Sequence, residues 1–257
     1  MNINITIIML SQLSMIISSP HIIPIASIIG YIHYPTNVRI NSQILYIGSI
    51  LHNTFLTIFS AYTFLSLSQI LYEKGIVFES NYYFQDNNFD KLMLYFYMSK
   101  YYEFIDTFLI CLNGKKPIFL QKYHHIGAVL CWHLMYYYKV DIIWSATILN
   151  SFVHTIMYSY YLGCLLKVSS VKIIKKYITT LQLCQFFVLY SNFYFYKPPV
   201  ETLFNYMIIN LFALYGVGVI YLFGEFYYKE YINKNNNIKN QMEKHMNNQM
   251  NNQIKKI

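Results

Sequence analysis

The chain has 257 residues, 56% of them hydrophobic and only 12% charged, about half the charged fraction of an average soluble domain. That composition excludes an ordinary soluble globule and points to a chain that sits in a bilayer. The net charge of +8 would suit nucleic acid by amount, but most basic residues fall in short loops between apolar runs and in the C-terminal tail.

Runs long enough to cross a hydrocarbon core, about 20 residues each, lie at 44–71, 92–112, 118–138, 142–166, 178–196 and 202–224. An earlier one falls somewhere in 3–34, where Pro20 and Pro24 interrupt it. The expected fold is therefore all-α and integral to the membrane, with seven spans in one domain, residues 1–224. The run 92–112 is the least obvious, because Lys100, Glu103 and Asp106 fall inside it. Residues 225–257 form an Asn/Gln/Lys-rich tail that cannot bury a core and is expected to be disordered. Cys111, Cys131, Cys164 and Cys184 all lie in apolar runs with no C-x-x-C pair, so they read as small hydrophobes in helices.

Loop charge supports the count. Seven spans would place segments 35–43, 113–117, 167–177 and the tail on one side, and these hold thirteen of the 19 basic residues. The opposite loops hold Lys74, Lys91, Lys139 and Lys197 among six acidic residues. Positive-inside bias then sets the tail in the cytosol and the N-terminus on the far side.

Polar groups within the spans are the functional candidates, since an ionisable side chain at membrane depth is costly unless paired. In "SKYYEFIDTF", Lys100, Glu103, Asp106 and Thr107 recur at three- and four-residue spacing on one helix face. Lys100 and Glu103 can pair, which leaves one negative charge at Asp106 for a protonated histidine of another helix to balance. "FLQKYHH" puts Gln121, His124 and His125 at the start of the next apolar helix. "LNSFVHTIMYSYYLG" aligns Asn150, His154, Tyr158 and Tyr161, and "YITTLQLCQFF" aligns Thr179, Gln182 and Gln185. At 1.5 Å per residue, Asp106, His124, His125, Tyr158 and Gln182 lie about 8–12 Å, and His154 about 18 Å, inside the cytosolic end of their spans. One polar chamber in the cytosolic half of a helix bundle accounts for this layer. Interhelical hydrogen bonding, which membrane helices use to associate, is the plainer account of any one stripe.

Four of these segments, in order, resemble the signature motifs of the ELO family of fatty-acid elongases. "KYYEFIDT" (Lys100–Thr107) is similar to K-x-x-E-x-x-D-T, "QKYHH" (Gln121–His125) to H-x-x-H-H, "NSFVHTIMYSYY" (Asn150–Tyr161) to N-x-x-x-H-x-x-M-Y-x-Y-Y, and "TTLQLCQ" (Thr179–Gln185) to T-x-x-Q-x-x-Q. "LHNTFLTIFSAYTF" (Leu51–Phe64) also resembles the family's His-Asn motif in its second span. The resemblance covers residues 45–225. It departs at Gln121, where the motif has histidine. Glutamine variants occur within the family, notably among enzymes resembling polyunsaturated fatty-acid elongases, so this position need not titrate.

The resemblance implies a seven-helix bundle in which six helices enclose an acyl tunnel closed at the lumenal end. It implies a 3-ketoacyl-CoA synthase of the endoplasmic reticulum membrane, joining a long-chain acyl-CoA to malonyl-CoA with release of CO2 and CoA. No metal or cofactor beyond these substrates is implied; other enzymes of the elongation cycle are the expected partners. Such chemistry needs a nucleophile for the acyl group, a partner for developing oxyanions and a dry site for an enolate. Following the family pattern, His124 takes the nucleophile's role through an acyl-imidazole, with His125 the competing candidate. His154 would stabilise the malonyl thioester and its enolate. Asp106 and Glu103 would set imidazole tautomer and charge, and Gln121 and Gln182 would donate hydrogen bonds. Lys100, Asn150, Tyr158, Tyr161 and Thr179 are expected to contact substrate. Lys115, Lys116, Lys172 and Lys176 would meet the CoA phosphates at the mouth, or serve only as topology signals. His21, His33, His52 and His133 read as structural. A di-iron desaturase or hydroxylase, a seven-span transporter and a catalytically silent scaffold are the alternatives. Metal content, substrate uptake and malonyl-dependent chain growth separate them.

Overall fold

The structure is a computed structural model that describes residues 20–33, 40–196, 203–234 and 241–242, without the side chains of 170, 172 and 203–205. All long elements among the described residues are helices: α1 (Ile22–Ile32), α2 (Ser42–Lys74), α3 (Asn87–Tyr102), α4 (Phe104–Leu112), α5 (Phe119–Tyr137), α6 (Ile143–Leu165), α7 (Lys175–Phe195) and α8 (Leu203–Tyr227). The expected span 92–112 is divided at Glu103 into α3 and α4, and α3 begins five residues earlier. The earliest expected span is represented by α1 alone. Its 11 residues reach only about 16 Å, and the rest of 3–34 up to residue 19 lies outside the described residues. So does most of the tail beyond 234, for which disorder was expected.

Local chemistry sets the ends. Asn41 caps α2 by accepting from Gln43 N–H at 2.8 Å, and Gly75 ends it at φ 81°, where its N–H reaches Leu71 O. Asp86 caps α3 by accepting from the N–H groups of Asn88 and Phe89. A turn with Gly114 at φ 71° separates α4 from α5.

Packing closes a ring. α2 lies along α6, α6 against α7, α7 against α8, α8 against α5, α5 against α3, and α3 returns to α2; α1 leans on the outside of α5. The ring's surface is apolar outward and polar inward. On α2, Ile44, Ile47, Leu51, Phe55, Ile58, Tyr62 and Leu65 are exposed while Ser49, His52, Asn53, Ser60 and Thr63 are buried. In water this order would be inverted; it suits a helix whose outer face meets lipid. Among the described residues, two helices, Ser42–Lys74 and Tyr206–Asn233, are long and apolar enough to cross a membrane.

Two glycines let α5 and α8 approach closely. A Cβ on Gly127 would lie 2.0 Å from the Tyr215 ring, and one on Gly218 would lie 2.3 Å from the Tyr123 hydroxyl. At one end of the ring, the segment between α2 and α3 folds inward. Asp141, fully buried, accepts from the backbone N–H of Tyr82 (2.8 Å), Phe84 (3.0 Å) and Tyr83 (3.2 Å). Tyr83, Phe89 and Trp144 pack beneath it in the main hydrophobic core.

Candidate active site

The break between α3 and α4 turns a charged helix face into the ring's interior. Lys100 is 1% exposed, and its Nζ donates to Glu103 Oε1 and to Asn150 Oδ1, both at 2.7 Å. It also lies 4.0 Å from the centre of the Phe96 ring, so the cation is fully enclosed by a carboxylate, an amide and a π face. A lysine only donates, so the Asn150 oxygen must face Lys100 and its amide nitrogen must face His154 Nε2, 3.1 Å away. That nitrogen then accepts, and neutral His154 carries its proton on Nδ1. Nδ1 stands 3.6 Å from Glu103 Oε1, too far for a closed hydrogen bond.

Asp106 is clamped from two other helices. His52 Nε2 donates to Oδ1 at 2.8 Å and the Tyr158 hydroxyl to Oδ2 at 2.7 Å. His52, expected to be only structural, is thus the histidine that faces Asp106. Its other nitrogen, Nδ1, is buried with no hydrogen-bond partner among the described residues.

The paired imidazoles of α5 have unlike surroundings. The Tyr215 hydroxyl donates its single proton to the His124 backbone oxygen at 2.9 Å. It lies equally close, 2.9 Å, to His124 Nδ1, which must therefore be the donor in that second contact. Nε2 of His124 keeps an unshared lone pair. His125 is buried edge-on to Tyr31 and Phe104, and its Nδ1 has no hydrogen-bond partner among the described residues. Gln121 donates to Thr107 Oγ1 at 3.1 Å, and Tyr31 shares that same oxygen at 2.7 Å.

A cavity of about 630 Å³ lies inside the ring. Its wall includes Glu103 and Asp106 from the α3–α4 segment, Gln121, His124 and His125 from α5, His154, Tyr158 and Tyr161 from α6, and Thr179, Gln182 and Gln185 from α7. Gln182 donates weakly to Met157 Sδ at 3.2 Å, whereas Gln185 Oε1 is buried and unpartnered. A separate void of only about 20 Å³, which His124 and Gln185 also line, lies between Trp132, Leu189 and Phe212.

Several expected contacts fall elsewhere. Lys100 and Asn150 stand behind the cavity wall, where they hold Glu103 and His154. Lys115 lines the mouth, but Lys116 and Lys176 are exposed and do not. Lys176 instead sits 5.8 Å over the Tyr227 ring. The side chain of Lys172 lies outside the described residues. The second mouth lysine is Lys175, paired with Glu230 at 2.8 Å, beside a Thr179–Tyr231 contact of 3.3 Å. Tyr215, Lys175 and the role of His52 are the features that sequence reasoning missed. Among the described residues, no three His, Cys, Asp or Glu side chains are grouped to hold a metal ion.

Residues 15–239 match the model of the GNS1/SUR4 family, ELO. Fatty acid elongase sre1 of Dictyostelium discoideum is 34% identical over 147 residues, 53% of this chain and 52% of that protein. Very long chain fatty acid elongase 5 of Xenopus tropicalis is 30% identical over 205 residues, 73% of this chain and 66% of that one. Very long chain fatty acid elongase 4 of Trypanosoma cruzi is 34% identical over 157 residues, 58% and 54% respectively. The matches span about half to just under two thirds of the length of these relatives. No solved structure matches the chain.

Proposed function

This chain belongs to the GNS1/SUR4 (ELO) family, and from that premise we propose that it is a condensing enzyme of fatty-acid elongation. It joins a long-chain acyl-CoA to malonyl-CoA and yields 3-ketoacyl-CoA, CO2 and CoA. The observation that carries this reading is one cavity onto which His124, His154, Glu103, Asp106 and Gln182 converge from four helical segments.

The first half-reaction begins at His124. Its Nε2 lone pair attacks the thioester carbonyl carbon, the C–S bond breaks, and CoA leaves as a thiolate that takes a proton from water at the mouth. The enzyme then holds an acyl-imidazolium whose Nδ1–H remains bonded to the Tyr215 oxygen. In the second half, malonyl-CoA loses CO2 and its electron pair stays on the α-carbon as an enolate. That carbon attacks the acyl carbonyl, the C–N bond breaks, and neutral His124 returns. The His154 Nδ1–H, left without a closed bond to Glu103, donates to the oxyanion of the malonyl thioester. Lys100 and Asn150 keep that proton on Nδ1. The apolar part of the wall, with Leu120, Ile178, Phe186 and Phe223, disfavours water, which would otherwise hydrolyse the acyl-imidazolium.

The same reading includes seven spans, six of them around the acyl tunnel, in the endoplasmic reticulum membrane with the C-terminal tail in the cytosol. The outward apolar faces and the loop-charge bias support it. Lys115 and Lys175 then sit where the phosphates of CoA arrive, and no further cofactor is needed. The ketoreductase, dehydratase and enoyl reductase of the cycle are the functional partners. The test is expression in membranes supplied with radiolabelled malonyl-CoA and a panel of acyl-CoAs. Label should enter products two carbons longer than the acyl-CoA supplied. Uptake of substrate with no malonyl-dependent chain growth would favour a transporter instead.

A further inference from the structure

We propose that Tyr215, outside the four sequence motifs, is the positioning residue that makes His124 a nucleophile, and that Gly127 is the notch that admits it. The inference rests on the condensing-enzyme reading above and deepens it. One hydroxyl carries one proton. The Tyr215 hydroxyl faces two atoms of His124 at 2.9 Å each, the backbone carbonyl oxygen and Nδ1. A carbonyl cannot donate, so the hydroxyl proton belongs to that contact and Nδ1 must supply its own. The result is a neutral imidazole whose Nδ1 proton is engaged by Tyr215 and whose lone pair is left on Nε2, in a residue that lines the cavity. A hydroxyl left free to rotate could serve either tautomer; the carbonyl removes that freedom.

The placement depends on close packing. The Tyr215 ring stacks on Tyr123 with centroids 5.6 Å apart, and it occupies the space that a Cβ at Gly127 would need, 2.0 Å from its Cε2. Gly127 follows His124 by three residues, one helical turn, so the ring lies across the α5 backbone beside the carbonyl it bonds. Tyr215 is itself buried. The same hydrogen bond steadies the reaction. Nδ1–H keeps an acceptor when the ring becomes acyl-imidazolium, so charge can develop without rotation of the ring.

The experiment uses the full chain in nanodiscs with 15N-labelled histidine, with stearoyl-CoA and arachidonoyl-CoA as probes. In the wild type, CoA release from acyl-CoA alone should show a burst, and His124 should show protonated Nδ1 and unprotonated Nε2. Tyr215→Phe keeps the ring and should slow that burst by about 10- to 100-fold, move the His124 tautomer signal toward protonated Nε2, and change the KM for malonyl-CoA by less than about twofold. Gly127→Ala should slow the same step by displacing the ring. A Tyr215→Phe enzyme with a wild-type burst or an unchanged tautomer overturns the proposal while the elongase reading stands. A wild type with no burst, or a His124→Ala variant as fast as wild type, takes down the nucleophile assignment and this inference together. Should Tyr215→Phe fail to fold, protonated Nε2 on His124 in the wild type alone overturns it.

Discussion

Lys100 is bonded to Asn150 across the bundle, Nζ to Oδ1 at 2.7 Å, and this one contact decides how His154 is protonated. The same ammonium group neutralises Glu103 at 2.7 Å with both side chains almost wholly enclosed. Removing one member of such a pair strands the other charge, at a typical cost of about 3–5 kcal/mol. Lys100→Met should therefore destabilise the protein strongly and abolish condensation. Adding Glu103→Gln should recover much of the stability but not the activity, because Asn150 is still released. Thermal unfolding in detergent, run as a double-mutant cycle beside an elongation assay, checks both parts.

Asp106 tests the second network. It accepts from His52 and Tyr158, and a hydrogen bond to a charged group is worth about 1.5–3 kcal/mol. His52→Leu should lower the elongation rate by roughly 10- to 100-fold, while His52→Gln, which can still donate, should lose much less. Equal losses in the two variants would assign His52 a role other than donation to Asp106.

Much of the site was legible because polar side chains in an apolar chain are conspicuous. Glu103, Asp106, His124, His154 and Gln182 stand out against Leu, Ile and Phe, and their helical spacing indicates a shared face. Tyr215 was not legible for the converse reason. Tyrosine is 28 of the 257 residues, so one more in "FALYGVG" carries no signal until its hydroxyl is found against His124. Spacing along one helix also cannot say which neighbour a side chain meets, so it does not single out His52 as the partner of Asp106. The helix break at Glu103 has no Gly or Pro to announce it. At the mouth, Lys175 and Lys176 are adjacent in sequence but a helix points them about 100° apart, and sequence alone did not select the inward one.

The buried end of the bundle depends on Asp141. Its carboxylate takes three backbone N–H groups from Tyr82, Tyr83 and Phe84. Asp141→Ala would leave buried donors unmet at about 1–3 kcal/mol each. We expect a total loss of about 3 kcal/mol by the same measure, with the 75–86 segment becoming cleavable in limited proteolysis. Resistance equal to wild type would mean that the segment is held by Tyr83 packing alone.

Asp86 gives a pH signature outside the membrane. Burial pushes its carboxyl up, but the Asn88 N–H, the Lys74 ammonium 3.1 Å away and the Phe89 N–H outweigh it and hold it below its ordinary 3.8. A depressed carboxylate stabilises the fold above 3.8 and ceases to do so as pH falls through the folded-state value beneath it. Asp86→Ala should cost about 1 kcal/mol at neutral pH through loss of the helix cap. That difference should shrink once the pH drops well below 3.8. Melting curves for both proteins across that range decide the point; a gap that stays constant would contradict it.

The most direct test of the account is where the acyl group goes. Purified wild-type enzyme is incubated with acyl-CoA and no malonyl-CoA, quenched, digested and mapped by mass spectrometry. The account predicts CoA release matched by an acyl adduct on the α5 peptide at His124, lost in His124→Ala and discharged on adding malonyl-CoA. An adduct on His154, on His125 or on a cysteine, or chain extension that proceeds normally in His124→Ala, would contradict it.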